Sequence, residues 1–98
     1  MVNVEKSKHP PGKDHKRILN LWTDTVWLGE EDIIIEMGSP KTSYQYVIVK
    51  LKKLPRYMQA IDFLKKIYLK HSNLNERTCE LYASEIAGAL VRYGLIGK

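Results

Sequence analysis

Residues 43–51, SYQYVIVKL, and residues 55–70, PRYMQAIDFLKKIYLK, decide the fold, because the hydrophobic period changes between them. In the first stretch Tyr44, Tyr46 and Ile48 alternate with Gln45, Val47 and Val49, the period of two that a pleated strand requires. In the second, Tyr57, Ala60, Ile61, Leu64, Ile67 and Tyr68 fall on one stripe and Gln59, Asp62, Lys66 and Lys70 fall opposite, which is the spacing of an amphipathic helix. Pro55 suits a first helical turn, where no backbone N–H is needed, and His71-Ser72-Asn73 reads as the exit. A strand that turns directly into a helix therefore sits at the centre of the chain.

Upstream, residues 17–28 carry Ile18, Leu19, Leu21, Trp22, Thr23, Thr25, Val26, Trp27 and Leu28, types that suit a pleated surface, and read as one strand bent near Asp24. Gly29-Glu30-Glu31 punctuates the chain before a short strand over 32–37, in which Ile33, Ile35 and Met37 share a face, and the turn 38–42 completes a hairpin with 43–51. Downstream, Cys79, Tyr82, Ile86, Leu90 and Tyr93 recur at three- and four-residue steps. They predict a second helix over about 75–93, with Arg92 complementing its dipole and Gly94 capping it in a left-handed conformation. Leu95 and Ile96 are expected to fold back on the sheet. The expected architecture is α+β: a three-stranded antiparallel sheet followed by two helices packed on one face. Residues 1–16, with Pro10-Pro11-Gly12 and few core-forming side chains, read as a flexible basic arm, leaving 17–98 as a single domain.

Ninety-eight residues suffice for one core and exclude a two-domain enzyme. Hydrophobic content of 44% with 28% charged residues is ordinary for a globular chain, and no apolar run approaches the roughly 20 residues that span a bilayer. The N-terminal residues lack the apolar core of a secretory signal, and the single cysteine, Cys79, excludes an intrachain disulfide; both suit a cytoplasmic setting. Richness in Lys and Ile with two glutamines hints at a thermophilic source.

Charge is segregated along the chain. Residues 1–17 hold Lys6, Lys8, Lys13, Lys16 and Arg17 against Glu5 and Asp14; residues 18–40 hold five acids (Asp24, Glu30, Glu31, Asp32, Glu36) and no Lys or Arg; residues 41–71 hold eight bases against Asp62. The net charge is +5. A basic block of this kind suggests a phosphate-binding surface made of Lys50, Lys52, Lys53 and Arg56 at the strand-to-helix corner, joined by Lys65, Lys66, Lys70 and by Lys13, Lys16 and Arg17 of the arm. The competing reading is an ordinary solvated helix face, with acidic and basic strands paired in the hairpin. Trp22, Trp27, Tyr44 and Tyr46 present more aromatic surface than one helical layer covers, so they are expected to form an interface, with a homodimer the simplest partner.

Residues 83–96 resemble the recognition helix of a winged-helix domain running into Gly-Leu-Ile, but Leu81-Tyr82-Ala83-Ser84 offers no turn and the chain ends where a wing would begin. A strand before two helices also resembles a ribbon-helix-helix repressor. In that comparison Gln45 and Lys50 would read bases, and Val47 and Val49 depart from the pattern. Asp24, Asp32, Glu36 and Lys50 loosely match a metal-dependent nuclease, yet the position two before the lysine is Ile48, where an acid would have to share the metal. His9, His15 and His71 are not spaced as a metal pair, and Gly29 and Gly38 are isolated turn glycines rather than a phosphate loop. The sequence therefore leads to a small non-catalytic nucleic-acid-binding protein with no cofactor and no metal. The alternative is a protein-interaction module, a regulator or inhibitor of a larger complex, acting through an aromatic sheet face.

Overall fold

A computed structural model describes residues 4–7 (backbone), 12, 14–42 and 45–98. The chain forms β1 (Val4–Ser7), β2 (Lys16–Asn20), β3 (Thr25–Leu28), β4 (Asp32–Glu36) and β5 (Tyr46–Lys50), then a 3-10 turn over Leu51–Lys53, then α1 (Tyr57–His71) and α2 (Glu76–Arg92). All strand pairs are antiparallel, in the order β1-β5-β4-β3-β2. Four strands follow one another as a meander, and β1 adds itself to the open side of β5. The expected α+β class, an antiparallel sheet followed by two helices, is the architecture found.

The strand count differs from expectation in two places. Residues 17–28 are not one bent strand but a hairpin: Leu21 N–H donates to the Asp24 carbonyl at 2.7 Å, and β2 and β3 pair from Lys16–Leu28 to Asn20–Thr25 with a register shift between Arg17 and Leu19. The turn 21–24 contains neither glycine nor proline, and its Leu21 and Trp22 look like strand residues, so composition hides it. The second difference is in the first sixteen residues, read as an arm. Val4 pairs opposite Val49 and Ser7 opposite Tyr46. A β-rich edge left open by β5 is a template for any extended segment, and a Val-containing stretch of the same chain fills it.

The helices match the expected periodicity closely. Asn75 caps α2 by accepting from Thr78 N–H at 2.8 Å, the placement in which a side-chain oxygen satisfies an orphan donor of the first turn. At the other end Gly94 has φ 73°, its N–H reaches the Val91 carbonyl, and Leu95 N–H reaches the Leu90 carbonyl. That is the left-handed Schellman closure expected of a terminal glycine. Pro55 lies one residue before the α1 N-cap Arg56 rather than inside the first turn. The tail then returns to this point: Tyr57 N–H donates to the Gly97 carbonyl and Gly97 N–H to the Pro55 carbonyl.

The core lies between one sheet face and the helices. Val26, Ile33, Ile35, Met37, Val47 and Val49 supply the sheet side; Leu64, Ile67, Ile86 and Leu90 answer them. Cys79 is buried in this core. Its sulfur lies 3.5 Å from the Leu74 carbonyl, consistent with a small packed thiol.

One end of the sandwich is closed by polar groups. Asp24 is 2% exposed, and its Oδ1 accepts from Gly38 N–H at 3.0 Å and from the Thr23 hydroxyl at 2.8 Å. The Tyr82 hydroxyl meets Thr23 N–H at 3.2 Å and the Thr23 hydroxyl at 3.0 Å. Tyr68, fully buried, packs edge-on to Tyr82 with ring centroids 5.7 Å apart. Burial first, and the adjacent Asp24 carboxylate second, hold the Tyr68 hydroxyl well above the ordinary tyrosine value.

A Cβ at Gly38 would collide with the Thr23 backbone carbonyl, so Gly38→Ala should cost about 1–3 kcal/mol in urea unfolding. Because the folded state raises the Tyr68 pKa, its contribution is complete below the unfolded value of 10.0 and is lost as the pH climbs above it. The loss is at most about 1.4 kcal/mol per pH unit. Urea midpoints measured from pH 8 to pH 11 should fall less steeply for Tyr68→Phe than for the parent.

Candidate functional site

Strand register sorts the charged and aromatic side chains. On the face turned away from the helices, Arg17, Trp27, Ile34 and Ile48 form one row across β2, β3, β4 and β5, and Thr25, Glu36 and Tyr46 form the next. Trp27 and Tyr46 thus share a face, as alternation predicts. The Trp27 indole N–H donates to the Glu36 carboxylate at 3.1 Å. Partial burial, and then the Glu36 charge, raise the Tyr46 hydroxyl above its usual value. Ile34 at the centre of this face is only 6% exposed, and Trp27, Tyr46 and Ile48 are half-buried. The face is therefore not the bare aromatic patch that residue counting suggests.

Trp22 lies off this sheet face. It occupies the β2–β3 turn and is 97% exposed, whereas Tyr44 lies outside the described residues. The fold gives that indole no burial to account for its place in the chain.

The ten expected phosphate-binding residues divide into those held by acids of the same chain and those that are not. Lys50 lies 3.7 Å from Asp32, its cross-strand partner, and Lys66 lies 3.1 Å from Asp62 one helical turn away. Lys65 bridges from α1 to Glu76 and Glu80 of α2 at 3.3 and 3.4 Å, and its hydrogen bonds to both raise its pKa. Lys70 is exposed in the last turn of α1, at the opposite end from the strand-to-helix corner. Lys13 lies outside the described residues.

Lys16, Arg17, Lys52, Lys53 and Arg56 remain, and the fold gathers them at one end of the sandwich. Lys16 pairs opposite Leu28, Leu28 opposite Ile33, and Ile33 opposite Val49, so the start of β2 and the end of β5 are at the same level. The Lys16 ammonium stands 5.9 Å from the Tyr93 ring centre at the end of α2. From Tyr93 the tail runs to Gly97, which bridges Arg56. Two shallow depressions open beside the corner. One of about 450 Å³ is lined by Lys53, Pro55, Met58, Gln59, Asp62 and Phe63; another of about 510 Å³ is lined by Glu30, Glu31, Lys50, Leu51 and Lys52. The acidic turn residues thus sit beside Lys50 and Lys52, and His15 lies 4.0 Å from Asp32.

Among the described residues no group of three or more His, Cys, Asp or Glu is placed to hold a metal ion, and no helix is long and apolar enough to cross a membrane. Sequence reasoning missed the turn that exposes Trp22 and the exposure of Leu81 and Tyr93 on α2. The helical stripe assigns Tyr93 to the core, yet it falls on the C-cap, where the helix ends and the ring swings out to Lys16. No protein-family model, curated protein or solved structure matches this chain.

The two tryptophans give a direct check of these placements. Trp27→Phe should leave an emission typical of a water-exposed indole, strongly quenched by iodide, whereas Trp22→Phe should leave a bluer and less quenched one. Equal quenching of both variants would contradict the arrangement.

Proposed function

We propose that the chain binds nucleic acid through the end of the sandwich formed by the start of β2, the 3-10 turn and the start of α1. The observation that carries the reading is convergence. Lys16 and Arg17, more than thirty residues upstream of Lys52, Lys53 and Arg56, come to the same end of the fold, and none of the five has an acidic partner within salt-bridge distance among the described residues. Free cations at one end of a chain of net charge +5 favour a polyanion by releasing its counterions. The surface is built of long flexible side chains on a corner rather than a helix or ribbon shaped for a groove, which supports binding to the phosphate backbone without base readout. Lys50, Lys65 and Lys66, engaged by Asp32, Glu76, Glu80 and Asp62, are left out of the binding surface.

A second reading, docking on a protein partner, is favoured by one observation, the 97% exposure of Trp22.

The test is equilibrium binding to a short random duplex, single-stranded DNA and RNA over a range of salt. Binding should weaken steeply with salt, and Lys52→Ala, Lys53→Ala and Arg56→Ala together should reduce the log–log slope by up to about 2.7 units, about 0.9 for each phosphate that these side chains neutralise. Lys65→Ala with Lys66→Ala should leave the slope nearly unchanged. Absence of binding to all three polymers at low salt overturns the proposal.

A further inference from the structure

The depression lined by Lys53, Pro55, Met58, Gln59, Asp62 and Phe63 lies within the cationic end, between the 3-10 turn and the first two turns of α1. Four of these residues, Met58, Gln59, Asp62 and Phe63, form one patch of α1 at helical spacing, beside the stripe of Ala60, Leu64 and Ile67 that faces the core. Its apolar share comes from Pro55, Met58 and Phe63. Phe63 is half-buried against the core, whereas Met58 is 71% exposed, and the fold gives its side chain no packing role. With a volume of about 450 Å³ the depression has room for a small flat group.

Its charge differs from that of its surroundings. Within the depression one cation, Lys53, faces one acid, Asp62, which Lys66 also approaches at 3.1 Å. Lys52 and Arg56, exposed on either side in the chain, have no acid within salt-bridge distance among the described residues. A phosphate therefore gains more at the rim than beside the Asp62 carboxylate, and the apolar interior suits an uncharged group. An apolar depression alone is indifferent to its occupant. The free cations around it select a polymer that carries a negative charge beside every flat, uncharged group.

We infer that the depression seats an unpaired base while Lys52, Lys53 and Arg56 hold the neighbouring phosphates, so that the form of nucleic acid bound is a single strand. The inference rests on the nucleic-acid reading above and names which form of the polymer the same end of the fold takes. In a duplex both faces of each base are covered by its neighbours and only the edges open into the grooves, so no base face is available to Met58 or Phe63. A single strand can turn one base out. Every base has a π-face, and contact with an aromatic ring or with the polarisable thioether of Met58 is tolerant of sequence. Gln59 both donates and accepts, which matches the edge of any base. Seating of this kind adds affinity without base readout.

The test is equilibrium binding of the full chain to a short mixed-sequence DNA single strand, to a strand of the same length built from abasic sugars, and to the corresponding duplex. The intact strand should bind at least about fivefold more tightly than the abasic one, and more tightly than the duplex at physiological salt. Met58→Ser should remove most of that advantage, leaving the circular dichroism spectrum and the binding of the abasic strand and duplex unchanged. The methyl resonance of Met58, identified by its loss in Met58→Leu, should move upfield under the ring current of the base when the intact strand is added and stay in place with the abasic strand. Equal binding of intact and abasic strands overturns the inference and leaves the cationic surface standing, whereas absence of binding to all three probes overturns both. An advantage of the intact strand that survives Met58→Ser, with the methyl resonance unmoved, puts the base elsewhere and overturns the inference as well.

Discussion

The carboxylate of Asp24 fixes how the sheet meets the helices. Buried almost completely, it binds the backbone of Gly38 and the hydroxyl of Thr23, and so locks the β2–β3 turn to the loop that follows β4. Thr23 in turn holds Tyr82 of α2, and the Asp24 charge acts on Tyr68 of α1. A charge removed from water must be compensated locally, which is why Gly38 has to approach the turn so closely and why two tyrosines of the helical layer point toward the same end. The loop 38–42 is fastened by the same logic. Lys41 N–H reaches the His71 carbonyl, Asn73 N–H reaches the Ser39 carbonyl, and Lys41 Nζ reaches the Leu69 carbonyl. With one end held, α2 lies along β2, and the borders of the cationic end and of the β2 edge are set.

The opposite end of the sandwich is arranged differently. There the chain relies on apolar tail packing, Leu95 and Ile96 against the core, with backbone bonds from Gly97 to the α1 entrance. Its charged groups project outward from strand starts and a 3-10 turn, where long side chains keep their mobility and their hydration. Charges of that kind contribute little to stability, because exposed pairs gain little and lose rotamer freedom. They remain available to a polyanion for the same reason. Lys65 illustrates the contrast, since it ties the two helices together through Glu76 and Glu80 and is thereby occupied.

Three consecutive isoleucines, Ile33, Ile34 and Ile35, are all buried in β4. Alternation sends Ile33 and Ile35 to the helices and Ile34 to the other face, so β4 is a central strand with apolar environments on both sides. Trp27 lies opposite Ile34, and its indole N–H donates to Glu36, the cross-strand partner of Tyr46. The Trp27 indole N–H is thus occupied by an acid, on a face whose described aromatic and aliphatic side chains are half-buried or buried.

The sequence by itself determined the α+β class, the alternation of Ile33, Ile35, Met37, Val47 and Val49, the extent of the second helix and the Gly94 closure, because periodicity and capping are local and are written within a few residues. It also determined the amount of charge and its order along the chain. Only the tertiary structure decided which charges remain free. Lys50 is engaged by Asp32 of the neighbouring strand and Lys65 by Glu76 and Glu80 of the other helix, and Lys16 and Arg17 reach the end that carries Lys52 and Arg56 through strand pairings that no local signal encodes. The hairpin at 21–24 is illegible in the sequence for a related reason. Its turn is imposed by a distant partner, the Gly38 amide on Asp24, and not by a glycine or proline of its own. Nor could periodicity distinguish a core tyrosine from one at a helix cap, and that difference is what leaves Tyr93 exposed beside Lys16.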